Sequence, residues 1–178
     1  MYRIMLLDDE RAIINSLARF LKCKRDWELE TFLDANEALR SAQMKQFDLV
    51  LSDYRMPQMD GVQFLIEMKK IQPEAMRIIL SGFTDIKALL GAINKAEIFR
   101  FICKPWEDDV LISSMELALA HREILLENRR LADMVRDQKL ELGKRKTALD
   151  SIRNKHPELN EVSWSDDGSI ILDEPQSL

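Results

Sequence analysis

Five side chains in this sequence have the types and placement for phosphoryl chemistry: Asp8, Asp9, Asp53, Ser81 and Lys104. Each closes or follows a short apolar run. Asp8 and Asp9 follow Tyr2–Leu7, and Asp53 ends Phe47-Asp48-Leu49-Val50-Leu51-Ser52-Asp53. Ser81 follows the run 76–80, and Lys104 follows 98–103. A single terminal Asp is usually a helix cap or turn former, and a single Lys a solvated charge. Five such groups on one rim can act together. Gathered carboxylates repel one another unless a cation sits among them, and an all-oxygen set suits a hard ion such as Mg²⁺. That ion would neutralise charge on an attacking carboxylate and an incoming phosphoryl group. Lys104 would hold another phosphoryl oxygen as a point charge, and the Ser81 hydroxyl would donate to a third. Asp53, leaving a central strand, is the best nucleophile, and an acyl phosphate formed there is reactive and temporary.

Strands must deliver these groups to a common edge. The apolar runs 2–7, 47–53, 76–80 and 98–103 lack Pro and Gly and read as buried strands of a parallel sheet. A further strand at 27–33 alternates, with Trp27, Leu29 and Phe32 as its core side chains. Ala12, Ile13, Leu17, Phe20 and Leu21 recur at helical spacing over 10–22. Asp34 with Glu37 three residues on forms a capping-box signature for a helix running to about residue 45. Phe64, Leu65, Met68 and Ile71 mark a helix over 62–71 that Pro73 stops. Thr84 or Asp85 starts another, to about residue 95, and a last helix begins near Glu107. Strand–helix units in this order predict a doubly wound, five-stranded parallel α/β sheet over about the first 120 residues. In such sheets ligands bind beyond the carboxyl ends of the strands, where the strand order reverses.

From Glu107 to Ile152 there is no Pro and one Gly, Gly143. Leu117, His121, Ile124, Asn128, Leu131, Val135, Gln138, Leu142, Arg145, Leu149 and Ile152 are spaced alternately four and three apart, a heptad seam. Continuous with the preceding helix, about 45 residues would span roughly 70 Å. A narrow apolar stripe on so long a helix needs a partner helix, and Asn128 falls at an a position, where it favours a parallel dimer. The alternative is an exposed polar helix. Helix ends at His156-Pro157. Residues 162–165 and 169–172 around Asp166-Asp167-Gly168 then read as a β-hairpin that must dock to be stable, with Trp164 as its anchor, or else as a partly ordered tail.

A formal charge of −5 and a pI near 5.2 argue against broad nucleic-acid binding. Cys23 and Cys103 read as reduced core thiols. The first apolar run is too short for a signal peptide, and none approaches a membrane span, so a cytoplasmic location is expected.

Leu6-Leu7-Asp8-Asp9-Glu10, Val50-Leu51-Ser52-Asp53-Tyr54-Arg55-Met56-Pro57-Gln58-Met59-Asp60-Gly61, Ile79-Leu80-Ser81-Gly82 and Phe101-Ile102-Cys103-Lys104-Pro105-Trp106 resemble the receiver domain of bacterial two-component response regulators. The resemblance runs in order and at the family's spacing from residue 1 to about 120. It implies a flavodoxin-like sheet of order 2-1-3-4-5, like that of the chemotaxis regulators. It implies that Asp53 accepts phosphate from a histidine kinase or phosphotransfer protein. Asp9 and Asp53 would then bind Mg²⁺ by side chain, Arg55 by its backbone carbonyl, and Asp8 mostly through water. Ser81 and Phe101 would be a coupled switch pair, and the Lys104–Pro105 bond would be cis. Ser81 stands where Thr is commoner, and Phe101 lacks the hydroxyl of the Tyr often found there. Arg55 and Phe83, two residues past Asp53 and Ser81, either gate water and slow dephosphorylation or point to solvent.

The stretch 104–107 with Arg100 ahead resembles receivers attached to phosphodiesterase or transcription-activator outputs, yet no motif of either follows residue 120. The expected organisation is a receiver domain at 1–120, a coiled-coil extension at 121–155 and a hairpin and tail at 156–178. The expected function is a phosphorylation-controlled interaction switch rather than an enzyme. Its partners would be a kinase, a second copy through the C-terminal helix and an output protein, without nucleic acid or membrane. Two other readings are an aspartate-nucleophile phosphohydrolase, whose acid spacing is not matched at Asp8 or Asp53, and a phosphorylation-independent scaffold.

Overall fold

The computed structural model describes residues 1–82, 95–155, 163–164 and 170–171. Strands β1 (Tyr2–Leu7), β2 (Trp27–Phe32), β3 (Leu49–Asp53), β4 (Met76–Gly82) and β5 (Arg100–Lys104) form one parallel sheet in the order β2-β1-β3-β4-β5. Helices α1 (Arg11–Leu21), α2 (Ala35–Met44) and α3 (Gly61–Ile71) connect the first four strands, and a C-terminal helix spans Asp108–Lys155. The expected fold and strand order are therefore present. The helix expected over 84–95 lies outside the described residues.

Alternation along the strands explains why the sheet is covered on both faces. Met5, Leu7, Val50 and Ile79 face α2 and α3, burying Ala38, Phe64, Leu65 and Met68. Ile4, Leu6, Leu51 and Leu80 face the other way, onto Ile14, Leu17 and Leu21 of α1 and Leu111, Met115 and Leu119 of the C-terminal helix. β3 is buried along its whole length, as a central strand between two helical layers must be. In α1 the buried face is centred on Ile14, Leu17 and Leu21, with Ala12 exposed and Ile13 and Phe20 only partly buried, a rotation from the expected face. β2 is an edge strand, and only Trp27 and Phe32 reach full burial while Leu29 is half-buried.

Caps place two of the helices. Asp34 Oδ1 accepts from the Glu37 backbone N–H at 2.9 Å, the expected cap of α2. Asp60 caps α3 by accepting from Gln63 N–H at 2.8 Å. Because β2 lies on one side of β1 and β3 on the other, the strand order reverses at β1, and the crevice opens above the ends of β1 and β3.

The chain divides into two compact units, Met1–Glu127 and Asn128–Leu178. Within the first, the C-terminal helix is fastened by more than its apolar face. Arg122 Nη1 contacts Asp48 Oδ1 at 2.8 Å and Arg122 Nε donates to the Glu74 carbonyl at 3.1 Å. Lys24 pairs with Glu116, and the Tyr2 hydroxyl bonds Glu123. His121 packs its ring 5.4 Å from that of Phe99. Within the second unit, β6 (Ser163–Trp164) pairs antiparallel with β7 (Ile170–Ile171), Trp164 opposite Ile170. That is the expected hairpin pairing; its turn and the docking of the Trp164 side chain lie outside the described residues.

Candidate functional site

Parallel register lines up the ends of the central strands. Leu7 pairs with Ser52, Asp53 with Leu80, Ser81 with Cys103 and Gly82 with Lys104. Asp8, Asp53, Ser81 and Lys104 therefore emerge on one edge, as their positions past the apolar runs predict. Asp8 and Asp53 are buried, at 0% and 6% exposure, although both are acids. Lys104 offsets that cost. Its Nζ lies 2.8 Å from Asp8 Oδ2 and 2.5 Å from Asp53 Oδ1, so one ammonium bridges both carboxylates. The Lys104–Pro105 peptide is cis, as the resemblance implies.

The remaining carboxylate oxygens use backbone donors. Asp8 Oδ1 accepts from Glu10 N–H and Asp53 Oδ2 from Arg55 N–H, each at 2.9 Å. Both acids thus spend one oxygen on the turn that follows their strand and one on Lys104. Burial pushes the Asp53 carboxyl above its ordinary value, with Lys104 and the Arg55 N–H pulling the other way and Asp8 adding to the rise. Burial by itself would lower the Lys104 ammonium, but its hydrogen bonds to Asp53 and Asp8 outweigh that and leave it raised. A raised carboxyl is a more basic carboxylate once ionised, which favours its use as a nucleophile.

Ser81 Oγ is buried and has no hydrogen-bond partner among the described residues. A buried hydroxyl without a partner is costly, and this one stands at the edge where the acids and Lys104 converge. Asp9 is exposed and is not drawn into the Lys104 bridge; with Arg55, Tyr54 and Asp60 it lines an open depression. Phe101 is half-exposed, and Arg55 is exposed. Phe83 lies outside the described residues.

The donors at this edge suit a hard cation: they are oxygens only, two of them are buried carboxylates, and Asp9 stands on an exposed rim. Among the described residues no three acids close around one point. An ion held here would keep much of its water shell, which is how Mg²⁺ is usually bound.

Gly61 is a site residue whose role the sequence reading did not assign. A Cβ there would lie 2.0 Å from the Asp53 carbonyl oxygen and 2.9 Å from its carbon. Gly61 N–H also donates to the Tyr54 carbonyl at 2.8 Å. The start of α3 thus rests directly on the backbone that presents Asp53, and only a residue without a side chain permits it. The Asp60-Gly61 pair is visible in the sequence, but the packing contact it makes is not.

Residues 4–116 match the response regulator receiver domain family. The chain is 34% identical over 116 residues to the hydrogenase transcriptional regulatory protein HoxA of Cupriavidus necator, covering 65% of this chain and 24% of that protein. It is 30% identical over 128 residues to the C4-dicarboxylate transport transcriptional regulatory protein DctD of Rhizobium meliloti, covering 72% and 27%. The chain thus spans about a quarter of the length of these relatives. Among solved structures, the signal receiver domain of an HD domain-containing protein from Pseudomonas fluorescens superposes with a TM-score of 0.65 at 34% identity, covering 68% of this chain and 97% of that one. A CheY-like response regulator receiver domain protein from Methanospirillum hungatei gives a TM-score of 0.64 at 26% identity, covering 69% and 97%.

Proposed function

This chain belongs to the response regulator receiver domain family of two-component phosphorelays, and from that premise we propose that Asp53 is its phosphoacceptor. The observation that supports this most is the bridge of Lys104 between Asp8 and Asp53 beside the unpartnered Ser81 hydroxyl. The donor would be a phosphohistidine on a histidine kinase or phosphotransfer protein. An Asp53 carboxylate oxygen attacks phosphorus, the O–P bond forms as the N–P bond breaks, and the imidazole leaves. Asp8, Asp9, Asp53 and the Arg55 backbone carbonyl would hold Mg²⁺, which receivers of this family bind. When bound it would offset the charge that builds on the transferring group.

The chain's own residues do the rest. Arg55 N–H fixes one Asp53 oxygen and so directs the other toward the donor. Lys104, freed from one carboxylate oxygen as Asp53 becomes esterified, takes a phosphoryl oxygen in its place. Ser81 supplies the hydroxyl that has no partner beforehand. Movement of Ser81 toward the phosphoryl group draws Phe101, which lies near it on the neighbouring strand, from its half-exposed place toward the interior. The output is interaction rather than turnover: the C-terminal helix pairs with that of a second copy, and phosphorylation shifts the balance between two states of the chain. The domains are then a receiver at 1–120, a pairing helix at 121–155 and a hairpin and tail at 156–178, in a cytoplasmic protein.

Intact mass after treatment with a small-molecule phosphodonor and Mg²⁺ tests the assignment. One added phosphoryl group, absent in Asp53→Ala and absent without Mg²⁺, is the expected result. No added mass from the small donor or from candidate kinases would leave the chain a scaffold that only resembles its relatives.

A further inference from the structure

The helix beyond Asn128 carries an apolar stripe that is exposed among the described residues. Leu131 is 46% exposed, Val135 49%, Leu142 63%, Leu149 58% and Ile152 48%. They occupy a and d positions of the heptad seam, with Asn128 at a. We propose that residues 128–152 pair with a second copy of this chain as a parallel, in-register, two-stranded coiled coil. This rests on the dimer proposed above and adds its orientation and register.

Charge beside the stripe selects the occupant. In this frame Glu141 and Met134 are at g positions, and Lys139 and Lys146 at e positions. Residues at e and g flank the seam and set partner and orientation. In a parallel pair, g of one helix meets e of the following heptad on the other. Glu141 then meets Lys146 of the partner subunit, and Met134 is covered by the stem of Lys139 of the partner subunit. Both contacts occur twice about the two-fold axis, so the surface is complementary to itself, as an isologous interface requires. Antiparallel pairing would set e against e, and lysine against lysine.

Polar residues in the seam fit the same arrangement. Asn128 meets its own copy only if the helices are parallel and unshifted, which is how a single a-position Asn fixes register. Arg145 at d is already paired on its own helix, its Nη2 2.7 Å from Glu141 Oε1. Its charge is therefore matched before association, although it weakens the distal third. Asp133 and Arg136, which pair at 3.0 Å, fall on the outer side of the helix and take no part.

The test is disulfide mapping in the full chain with Cys23 and Cys103, both free thiols, replaced by Ser. Leu131→Cys, Val135→Cys, Leu142→Cys and Leu149→Cys are oxidised one at a time, with Asp137→Cys on the outer face as control, and the mass of the unoxidised protein is read by light scattering. We expect a dimer mass and self-linking at all four seam positions, with the control at least tenfold slower. Glu141→Lys should weaken the dimer roughly tenfold, and adding Lys146→Glu in the same chain should restore it. A dimer whose Leu131→Cys chains link only to Leu149→Cys chains would overturn the orientation while leaving the dimer. A dimer with no seam links would place the contact elsewhere. A monomer would overturn the dimer reading itself, and this inference with it.

Discussion

Replacing Lys104 by Met keeps the unbranched stem and removes the charge that holds two buried acids together. One Nζ reaches Asp8 Oδ2 at 2.8 Å and Asp53 Oδ1 at 2.5 Å, so these oxygens lie within about 5 Å of each other, a repulsion of about 3 kcal/mol at an effective dielectric near 20. Removing one partner of a buried ion pair costs about 3–5 kcal/mol. The Lys104 side chain is 23% exposed, so water can enter the gap and the lower end applies. We expect Lys104→Met to lose about 3 kcal/mol at pH 8 in EDTA, measured by urea unfolding. The loss should shrink in acid. The Asp53 pKa is already raised in the folded chain, and without the ammonium it rises further. Between the unfolded and folded values the native state holds more protons, so stability falls as pH rises through that window. Asp53→Asn added to Lys104→Met should restore most of the loss, and millimolar Mg²⁺ should restore part of it by binding only the folded site. Equal stability of Lys104→Met and wild type at pH 8, with the same pH profile, would refute the bridge as the means by which these acids are buried.

Gly61→Ala forces a methyl to within 2.0 Å of the Asp53 carbonyl oxygen; it should cost about 1–3 kcal/mol by overpacking and slow phosphoryl uptake though every acid is still present. A variant with wild-type melting and uptake would mean that α3 retreats freely. Ser81→Ala removes a buried hydroxyl that has no partner, so its melting temperature should hold or rise while phosphoryl uptake falls; a clear loss of stability would show that the hydroxyl is bonded in solution. Lys104 stabilises the fold fully below its unfolded value near 10.5 and progressively less as pH rises through its raised folded value. The melting temperature should thus drop on the alkaline side in wild type and not, from this cause, in Lys104→Met. Replacing Arg55 and Phe83 together by Ala should shorten the acyl-phosphate lifetime, timed by loss of the added mass; an unchanged lifetime ends the proposal that they gate water.

The sheet was legible because its strands are short, apolar and separated by helices, two of them capped by Asp34 and Asp60. In β1 the alternation of Ile4 and Leu6 against Met5 and Leu7 puts one pair on each face, but a run apolar on both faces already says that the strand is central. Edges and faces were harder. Leu29 reads as core from alternation, yet β2 has a neighbour on one side only, and Leu29 stays half-buried. Arg77 sits inside a predicted strand and is 5% exposed. Its guanidinium is satisfied by the carbonyls of Ala96, Ala75 and Pro73 at 2.8, 2.6 and 3.2 Å, partners 19, 2 and 4 residues away that no local pattern reveals.

The site shows the same division. Chain order gave away which charged residues end strands, and parallel register then had to bring them together, so Asp8, Asp53, Ser81 and Lys104 could be named from the sequence. What the sequence could not express is distance across the chain. Lys104 is 96 residues from Asp8, and nothing in either neighbourhood says that it bridges Asp8 and Asp53 while Asp9, the adjacent residue, stays on the rim. Gly61 is the sharper case. Its neighbour Asp60 caps α3, a role that places no demand on the side chain of residue 61. Yet the missing side chain is what lets α3 sit on the carbonyl of Asp53. A cap needs only the right residue before a helix, whereas this contact needs the helix start and the strand end to share one position. A larger residue at 61 would leave Asp8, Asp9, Asp53, Ser81 and Lys104 unchanged in the sequence and still displace the backbone that presents Asp53.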